Sequence, residues 1–300
     1  MRLVPLLYVA LAAAVVVAAT PRVHAGVQAL ERSRAGHPAT RVSVDGHGDL
    51  LFVVDTGASA SAVYEHARTR LRLAPEPGGQ IEMHGAAGSQ RIDRYRLPPL
   101  TVAGVRTGRL LATGLPDGVA HGDDVVGVVG RDVFGGHAVE FDLHGGVLGL
   151  HRPGELPHSA RGWDTVPIRL MPHTGLVTIE VRLDGAPVTA VLDTGARKSF
   201  INWRAARGTG LAPGAKGLVR QASGGGATAH RFAFDVARFD ALAVGRTRFG
   251  SPSLAIADLP VFAPLGMDGA PAMILGMDLL GDRRFVIDYP GRRLLIEKRG

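Results

Sequence analysis

The sequence contains no cysteine, only 5% aromatic residues and, beyond its first 25 residues, no long hydrophobic run. Without cysteine, disulfide bonds and thiolate metal ligands are excluded, and the fold must depend on its hydrophobic core. None of the twelve histidines forms a His-Glu-x-x-His pattern, and no Gly-x-Ser-x-Gly motif is present. These absences argue against zinc and serine hydrolases, and we expect neither a metal site nor a cofactor. The closest acidic cluster, His121-Gly122-Asp123-Asp124, is interpreted as a polar loop.

Basic residues outnumber acidic ones, 34 Lys and Arg against 27 Asp and Glu, which gives a formal net charge of +7. The arginines are scattered and form no basic stripe interleaved with aromatic residues. We therefore interpret them as a solvated surface and expect no nucleic-acid partner. A hydrophobic content of 46% with 41 glycines suits a two-lobed, β-rich globule.

The first 25 residues have the pattern of a signal peptide. Arg2 precedes an apolar run from Leu3 to Ala19, and Val23-His24-Ala25 resembles a signal-peptidase site. We expect residues 1–25 to be removed and the body to be exported, either periplasmic or secreted. An uncleaved anchor is the alternative, and it would be the only contact with a membrane.

One tripeptide occurs twice, as Asp55-Thr56-Gly57 and as Asp193-Thr194-Gly195. Each copy ends a short apolar run that is typical of a buried strand. Each is followed by two apolar residues and a glycine, within residues 128–132 and 274–278. The chain is therefore a duplicated unit of about 140 residues, and each aspartate is placed where a strand ends and a loop begins.

On these motifs the sequence resembles the aspartic proteases, in particular the retropepsin-like and pepsin-like group, with two units fused in one chain. The resemblance covers about residues 40–150 and 163–300. It implies an all-β fold with short helices, the bilobal acid-protease fold, in which two β-barrel-like lobes are related by a pseudo-twofold axis. We place the lobes at residues 26–152 and 153–300. Where the family often has a small or acidic residue after Asp-Thr-Gly-Ala, this chain has Ser59 and Arg197.

The resemblance also assigns roles to the repeated residues. It implies two catalytic carboxyls, two threonines that bond across the lobe interface, and two glycines that leave room beside the carboxyls. These are Asp55 and Asp193, Thr56 and Thr194, and Gly57 and Gly195. Two carboxyls at hydrogen-bonding distance share one proton, so that one can activate water while the other donates to the scissile carbonyl.

Each unit then has a hairpin with small residues at its tip. The resemblance favours a pair of flaps that close over an extended peptide, and two ordinary surface hairpins are the alternative. The candidate flap residues are Gly85, Ala86 and Gly88 in the first unit, and Ser223, Gly224 and Gly225 in the second.

Smaller features complete the predicted organisation. Residues 26–40 are expected to be a loosely held lead-in, and residues 152–157 a linker between the units. Short helices are expected at about residues 61–70 and 201–207.

The predicted function is that of an exported aspartic endopeptidase that acts on polypeptides as a monomer, with its lobes paired within one chain. A non-catalytic module that binds a peptide or an envelope component on the same scaffold is the alternative. Ala58 and Ala196 lack the hydroxyl that many pepsin-like enzymes place beside the carboxyls. We therefore expect an activity optimum in mild acid, at about pH 4–6.

Overall fold

A computed structural model describes residues 26–117, 124–226 and 230–298. The predicted signal peptide, residues 1–25, lies outside the described residues, as do the first three residues of the cluster at 121–124. Within the described ranges, no helix is both long and apolar enough to cross a membrane.

The first unit contains thirteen strands and two short helices. The strands are β1 Gly26–Arg32, β2 Pro38–Val44, β3 Gly48–Val54, β4 Ala62–Tyr64, β5 Ile81–Gly85, β6 Gly88–Ile92, β7 Arg94–Leu97, β8 Leu100–Val102, β9 Val105–Arg106, β10 Leu110–Leu115, β11 Gly127–Val129, β12 Ala138–Asp142 and β13 Val147–His151. The helices are α1 Glu65–Arg70 and α2 Arg131–Phe134.

The second unit repeats this composition. Its strands are β14 Asp164–Pro167, β15 Arg169–Leu170, β16 Val177–Leu183, β17 Ala186–Leu192, β18 Phe200–Ile201, β19 Val219–Gly225, β20 Arg231–Arg238, β21 Ala241–Val244, β22 Thr247–Gly250, β23 Ser253–Ile256, β24 Ala272–Leu275, β25 Phe285–Asp288 and β26 Arg293–Ile296. Its helices are α3 Trp203–Gly208 and α4 Met277–Leu280, and short 3₁₀ turns lie at His158–Ala160 and Pro260–Phe262. The fold is therefore mainly β, with short helices, as predicted.

The strands that carry the repeated motif are buried in the middle of their sheets. All five residues from Leu50 to Val54 are buried, which explains why the run is continuously apolar instead of alternating. Strand β3 pairs in parallel with β11, with Val54 opposite Val129. Strand β17 pairs in parallel with β24 in the same way. Each Asp-Thr-Gly thus leaves the end of a strand that is fixed on both sides.

Two large mixed sheets occupy the two halves of the chain. The first, of 14 strands, has the order β14-β26-β25-β12-β13-β1-β2-β3-β11-β4-β10-β7, with β8 and β9 as a branch from β2. The second, of 10 strands, has the order β19-β20-β23-β18-β24-β17-β16-β21-β22, with β15 on β16. Strands β5 and β6 form a separate hairpin. Closure of either sheet into a barrel, and the exact lobe boundaries, stay predictions.

The two units are joined by one pair of equivalent strands. Strands β12 and β25 are antiparallel, with Glu140 opposite Val286 and Phe141 opposite Phe285. Both phenylalanines are fully buried, and their rings stack with centroids 4.8 Å apart. Since each strand occupies the same place in its own unit, the pairing relates the halves by a pseudo-twofold axis.

The expectation that residues 26–40 are a loose lead-in is wrong. Strand β1 lies inside the large sheet, between β13 and β2. Only Leu30 of its side chains is buried, so the strand has little apolar signal. Backbone hydrogen bonds to two neighbouring strands hold it instead, and those neighbours are distant in sequence.

The short helices begin later than predicted because strands precede them. Residues 62–64 form β4, and α1 begins at Glu65. An aspartate from a distant loop accepts a backbone N–H in the first turn of each helix: Asp117 from His66 at 3.1 Å, and Asp258 from Trp203 at 2.9 Å. These bonds satisfy amides that a helix leaves unpaired at its start.

Candidate active site

Asp55 and Asp193 lie at equivalent places in the two units, directly after β3 and β17. The Asp55 N–H donates to the Val129 carbonyl and the Asp193 N–H to the Leu275 carbonyl, each at 3.1 Å. These bonds continue the parallel pairing by one residue. The backbone of each aspartate is therefore fixed by its own sheet.

The two carboxyls face each other across the boundary between the units. A Cβ atom placed on Gly57 would lie 2.5 Å from the Asp193 Cγ, and one placed on Gly195 would lie 2.4 Å from the Asp55 Cγ. Each carboxyl group is therefore packed over the glycine of the other motif. Any larger residue at either position would collide with the opposite carboxyl, which is the physical reason for glycine in both copies.

Four hydrogen bonds between the threonines and the opposite motif lock the loops together. Thr56 Oγ1 donates to the Leu192 carbonyl at 2.9 Å and accepts the Thr194 N–H at 3.1 Å. Thr194 Oγ1 donates to the Val54 carbonyl at 2.6 Å and accepts the Thr56 N–H at 3.0 Å. Both threonines are fully buried. These are cross-interface bonds of the kind that the resemblance implies for this pair.

Burial raises the pKa of both Asp55 and Asp193 above the usual value of aspartate. For Asp193 the negative charge of Asp55 raises the pKa further, so it lies well above that value. Backbone amides act in the opposite direction: Gly57 donates to Asp55 Oδ1 at 2.7 Å and Ala196 donates to Asp193 Oδ1 at 2.9 Å. The pair therefore holds a proton in mild acid that isolated aspartates would lose.

A serine and an aspartate support each motif from behind. Ser61 Oγ donates to Asp132 Oδ1 at 2.7 Å and accepts the Gly130 N–H at 3.2 Å. Ser199 Oγ donates to Asp278 Oδ1 at 2.6 Å and accepts an N–H at 3.0 Å from Gly276. Sequence reasoning missed these supports, although a serine six residues after each catalytic candidate and an aspartate two residues after each later glycine are both repeated.

The candidate flap hairpins meet over the site. Strands β5 and β6 are joined by the two residues Ala86 and Ala87, with Gly85 opposite Gly88. Ala86 packs against the apolar cluster of the second unit. A Cβ atom on Gly226 would lie 3.2 Å from the Ala86 Cβ, and one on Gly88 would lie 3.2 Å from the His230 ring.

The second hairpin consists of β19 and β20, whose pairing is irregular between Gln221 and Gly224. The candidates Ser223, Gly224 and Gly225 all lie in β19. Of these, Gly224 and Gly225 line the cleft beneath the hairpins, together with Gly85 and Ala86 of the first unit. Whether the hairpins move as flaps stays a prediction.

The cleft has a volume of about 1130 Å³ and is lined by both units. Asp55 and Asp193 lie in it, beside apolar residues such as Leu115 and Phe200. Both aspartates are partly exposed to this space. The space and its apolar lining suit an extended organic ligand such as a peptide.

A family model described as aspartyl protease matches residues 40–133 and 179–279, well over half of the chain. The chain belongs to the aspartyl protease family. Each match contains one Asp-Thr-Gly motif, in agreement with two fused units. No curated protein matches the chain. Membership in the aspartyl protease family indicates an aspartic peptidase whose substrates are polypeptides.

This aspartyl protease differs between its units beside the carboxyls. The Arg197 guanidinium donates from Nη1 to the Ala35 carbonyl of the first unit at 3.1 Å. Arg197 is not among the groups that shift the pKa of Asp193, so its charge lies toward the opposite lobe. Burial, with the charge of Asp55 as a smaller cause, raises the pKa of Tyr64, which therefore stays a neutral phenol.

Proposed function

We propose that the chain is an aspartic endopeptidase that hydrolyses peptide bonds with a water activated between Asp55 and Asp193. The observation that carries this proposal is the mutual packing of each carboxyl over the glycine of the opposite motif. That arrangement brings two buried carboxyls to one point at the base of a peptide-sized cleft.

The chemistry follows from the shared proton. The ionised carboxyl takes a proton from water, and the protonated carboxyl donates to the scissile carbonyl oxygen. A gem-diol forms, and the amine leaves after it is protonated. No covalent intermediate is formed with the protein, and the dyad regains its single proton at the end of the cycle.

The decisive experiment measures cleavage of a denatured protein by the purified chain over a range of pH, with and without a peptidomimetic aspartic-protease inhibitor. We expect cleavage that the inhibitor and the variants Asp55→Asn and Asp193→Asn abolish. Asp268→Asn is the matched control, because Asp268 is exposed and outside the cleft. Binding of the same peptides without cleavage at any pH would favour the non-catalytic alternative.

The pH profile tests the shared proton. Activity requires one proton on the pair, so the profile should be bell-shaped. Because burial raises both pKa values, both limbs should lie above those expected for exposed aspartates, which agrees with an optimum at about pH 4–6. An optimum near pH 2 would contradict this expectation.

The site is complete within one chain, because each unit contributes one aspartate and one threonine. We therefore propose that the protein acts as a monomer. Specific activity should not change with protein concentration, and a rise that tracks dimer formation in sedimentation would contradict the proposal.

We also propose export of the body after removal of residues 1–25. The sequence pattern of that segment supports this proposal. Mass measurement of the exported product should give a chain that begins at Gly26. A product that retains residues 1–25 and fractionates with membranes would favour the anchor.

A further inference from the structure

The second unit places two cationic side chains beside the candidate dyad where the first unit has none. Arg197 and Lys198 follow Ala196, and their equivalents in the first unit are Ser59 and Ala60. All four residues line the cleft, and both cationic residues are exposed. The charge is therefore on one side of the pseudo-twofold axis, inside the space where substrate would lie.

Arg197 is held in place at its far end. Its Nη1 atom donates to the Ala35 carbonyl, which belongs to a tight turn closed by two hydrogen bonds between Ser33 and His37. Within the described part of the chain, this is the single hydrogen bond that the guanidinium makes. An arginine has five N–H donors, so a fixed guanidinium with most of its donors facing the cleft remains. Such a group binds a carboxylate with defined geometry.

The acidic groups of the cleft do not neutralise this pair. The two aspartates of the dyad share one proton, and Asp278 is engaged by Ser199. Glu82 lies on the β5–β6 hairpin, where the strand register places it opposite Arg91. The charged and titratable residues of the cleft are Glu82, His37, His84, Arg197, Lys198, His230, Arg231, Asp278 and the two aspartates. The side of the cleft near Arg197 is therefore cationic.

We propose that Arg197 and Lys198 form a specificity site for a carboxylate of the peptide substrate, a few residues from the scissile bond. This inference rests on the proposed peptidase function. The carboxylate has two sources in a peptide, the side chain of Asp or Glu and the C-terminus. Both present the same group to the guanidinium.

The test compares peptides that differ only in this group. One series has Glu, Gln or Lys at successive positions on each side of the cleaved bond, with an amidated C-terminus. A second series has neutral side chains, with either a free or an amidated C-terminus. We expect kcat/KM to be about tenfold or more higher for one carboxylate peptide than for its neutral match, from a charge-assisted hydrogen bond. A preference in the first series identifies a side chain, and one in the second identifies the C-terminus.

Variants separate recognition from support of the fold. Arg197→Gln and Lys198→Gln should remove the preference while leaving kcat/KM for the Gln peptide within about threefold. Arg197→Lys should retain part of the preference, and Arg197→Glu should favour the Lys peptide. The matched control is Arg182→Gln, because Arg182 is also exposed and also bonds one backbone carbonyl, that of Gly185, but lies outside the cleft. Arg182→Gln should leave the preference intact.

Each outcome has a distinct meaning. Dyad-dependent cleavage with equal rates for Glu, Gln and Lys peptides, and for free and amidated C-termini, overturns the specificity site and leaves the peptidase function standing. A uniform loss for all peptides in Arg197→Gln, with an unchanged ratio, shows that Arg197 only supports the turn. If no peptide is cleaved, binding of the same peptides to Asp55→Asn decides, and equal affinity for charged and neutral peptides overturns the site.

Discussion

The two units build the same support for their aspartates with nearly the same bond lengths. Each motif has its threonine pair, its serine–aspartate support and its glycine against the opposite carboxyl. These bonds join positions that are repeated in the sequence. Duplication has therefore preserved what holds the carboxyls in place.

The units differ at positions that face the cleft or the interface. Arg197 and Lys198 replace Ser59 and Ala60 beside the dyad. At the centre of the joining strands, Glu140 lies opposite Val286. Glu140 is buried and bonds both His151 and Arg284. The comparison teaches that the repeated positions determine geometry, while the unrepeated ones give each half its own electrostatic environment.

The strongest test of the equivalence of the two units is removal of either carboxyl charge. Asp55→Asn and Asp193→Asn should each lower kcat by about a thousandfold or more, because the two residues act as a unit. Steady-state cleavage of a reporter peptide measures this effect. Near-normal turnover in one variant would show that the units are not equivalent in catalysis.

The threonine pair should tolerate substitution equally poorly in both units. Thr56→Val removes one donated and one accepted bond, and Thr194→Val removes the matching two. Since buried partners would be left unsatisfied, each variant should lower the free energy of unfolding by about 2–4 kcal/mol. Urea titration measures the change, and Thr101→Val at a partly exposed strand position is a control. A large loss in one variant alone would break the comparison.

The serine supports should show a smaller and again equal effect. Ser61→Ala and Ser199→Ala each remove a hydroxyl that bonds both a carboxylate and a backbone N–H. We expect a loss of about 1–2 kcal/mol in the free energy of unfolding for each variant. Thermal unfolding at matched pH measures it. A difference between the two variants larger than the effect itself would indicate that the supports are not equivalent.

The smallest expected effect concerns the pH dependence of stability. A raised pKa in the folded state means that stability is fully present below the unfolded pKa of about 4 and is lost as pH rises through the folded value. Asp193→Asn removes this ionisation and should increase the free energy of unfolding by about 1 kcal/mol at pH 7.

At pH 3 the same variant should have little effect, because the carboxyl is then neutral in both states. The Asp268→Asn variant should show no such dependence, since Asp268 is exposed. Equal effects of Asp193→Asn at both pH values would show that burial does not raise the pKa of Asp193.

Much of the site could be predicted from sequence because its parts lie close together along the chain. Asp55, Thr56 and Gly57 are consecutive, and their strand is a continuous apolar run. The serine–aspartate supports were missed because Ser61 and Asp132 are far apart in sequence. Their repetition in the second unit was the available signal.

Strand β1 and the helix starts were also beyond the pattern. The seven residues of β1 bury a single side chain, so no periodicity marks them. Helix α1 was predicted four residues early because residues 62–64 are buried in either conformation, and a parallel partner, β10, decides for a strand.

By itself, the sequence determined the duplication, the mainly β class and the position of each aspartate at the end of a buried strand. These features follow from local runs of residues and from their repetition. Tertiary structure alone decided that Gly57 lies under Asp193, that β1 enters the large sheet, and that Arg197 crosses to Ala35. The physical reason is that each of these contacts joins residues far apart in the chain, where neither periodicity nor propensity specifies the partner.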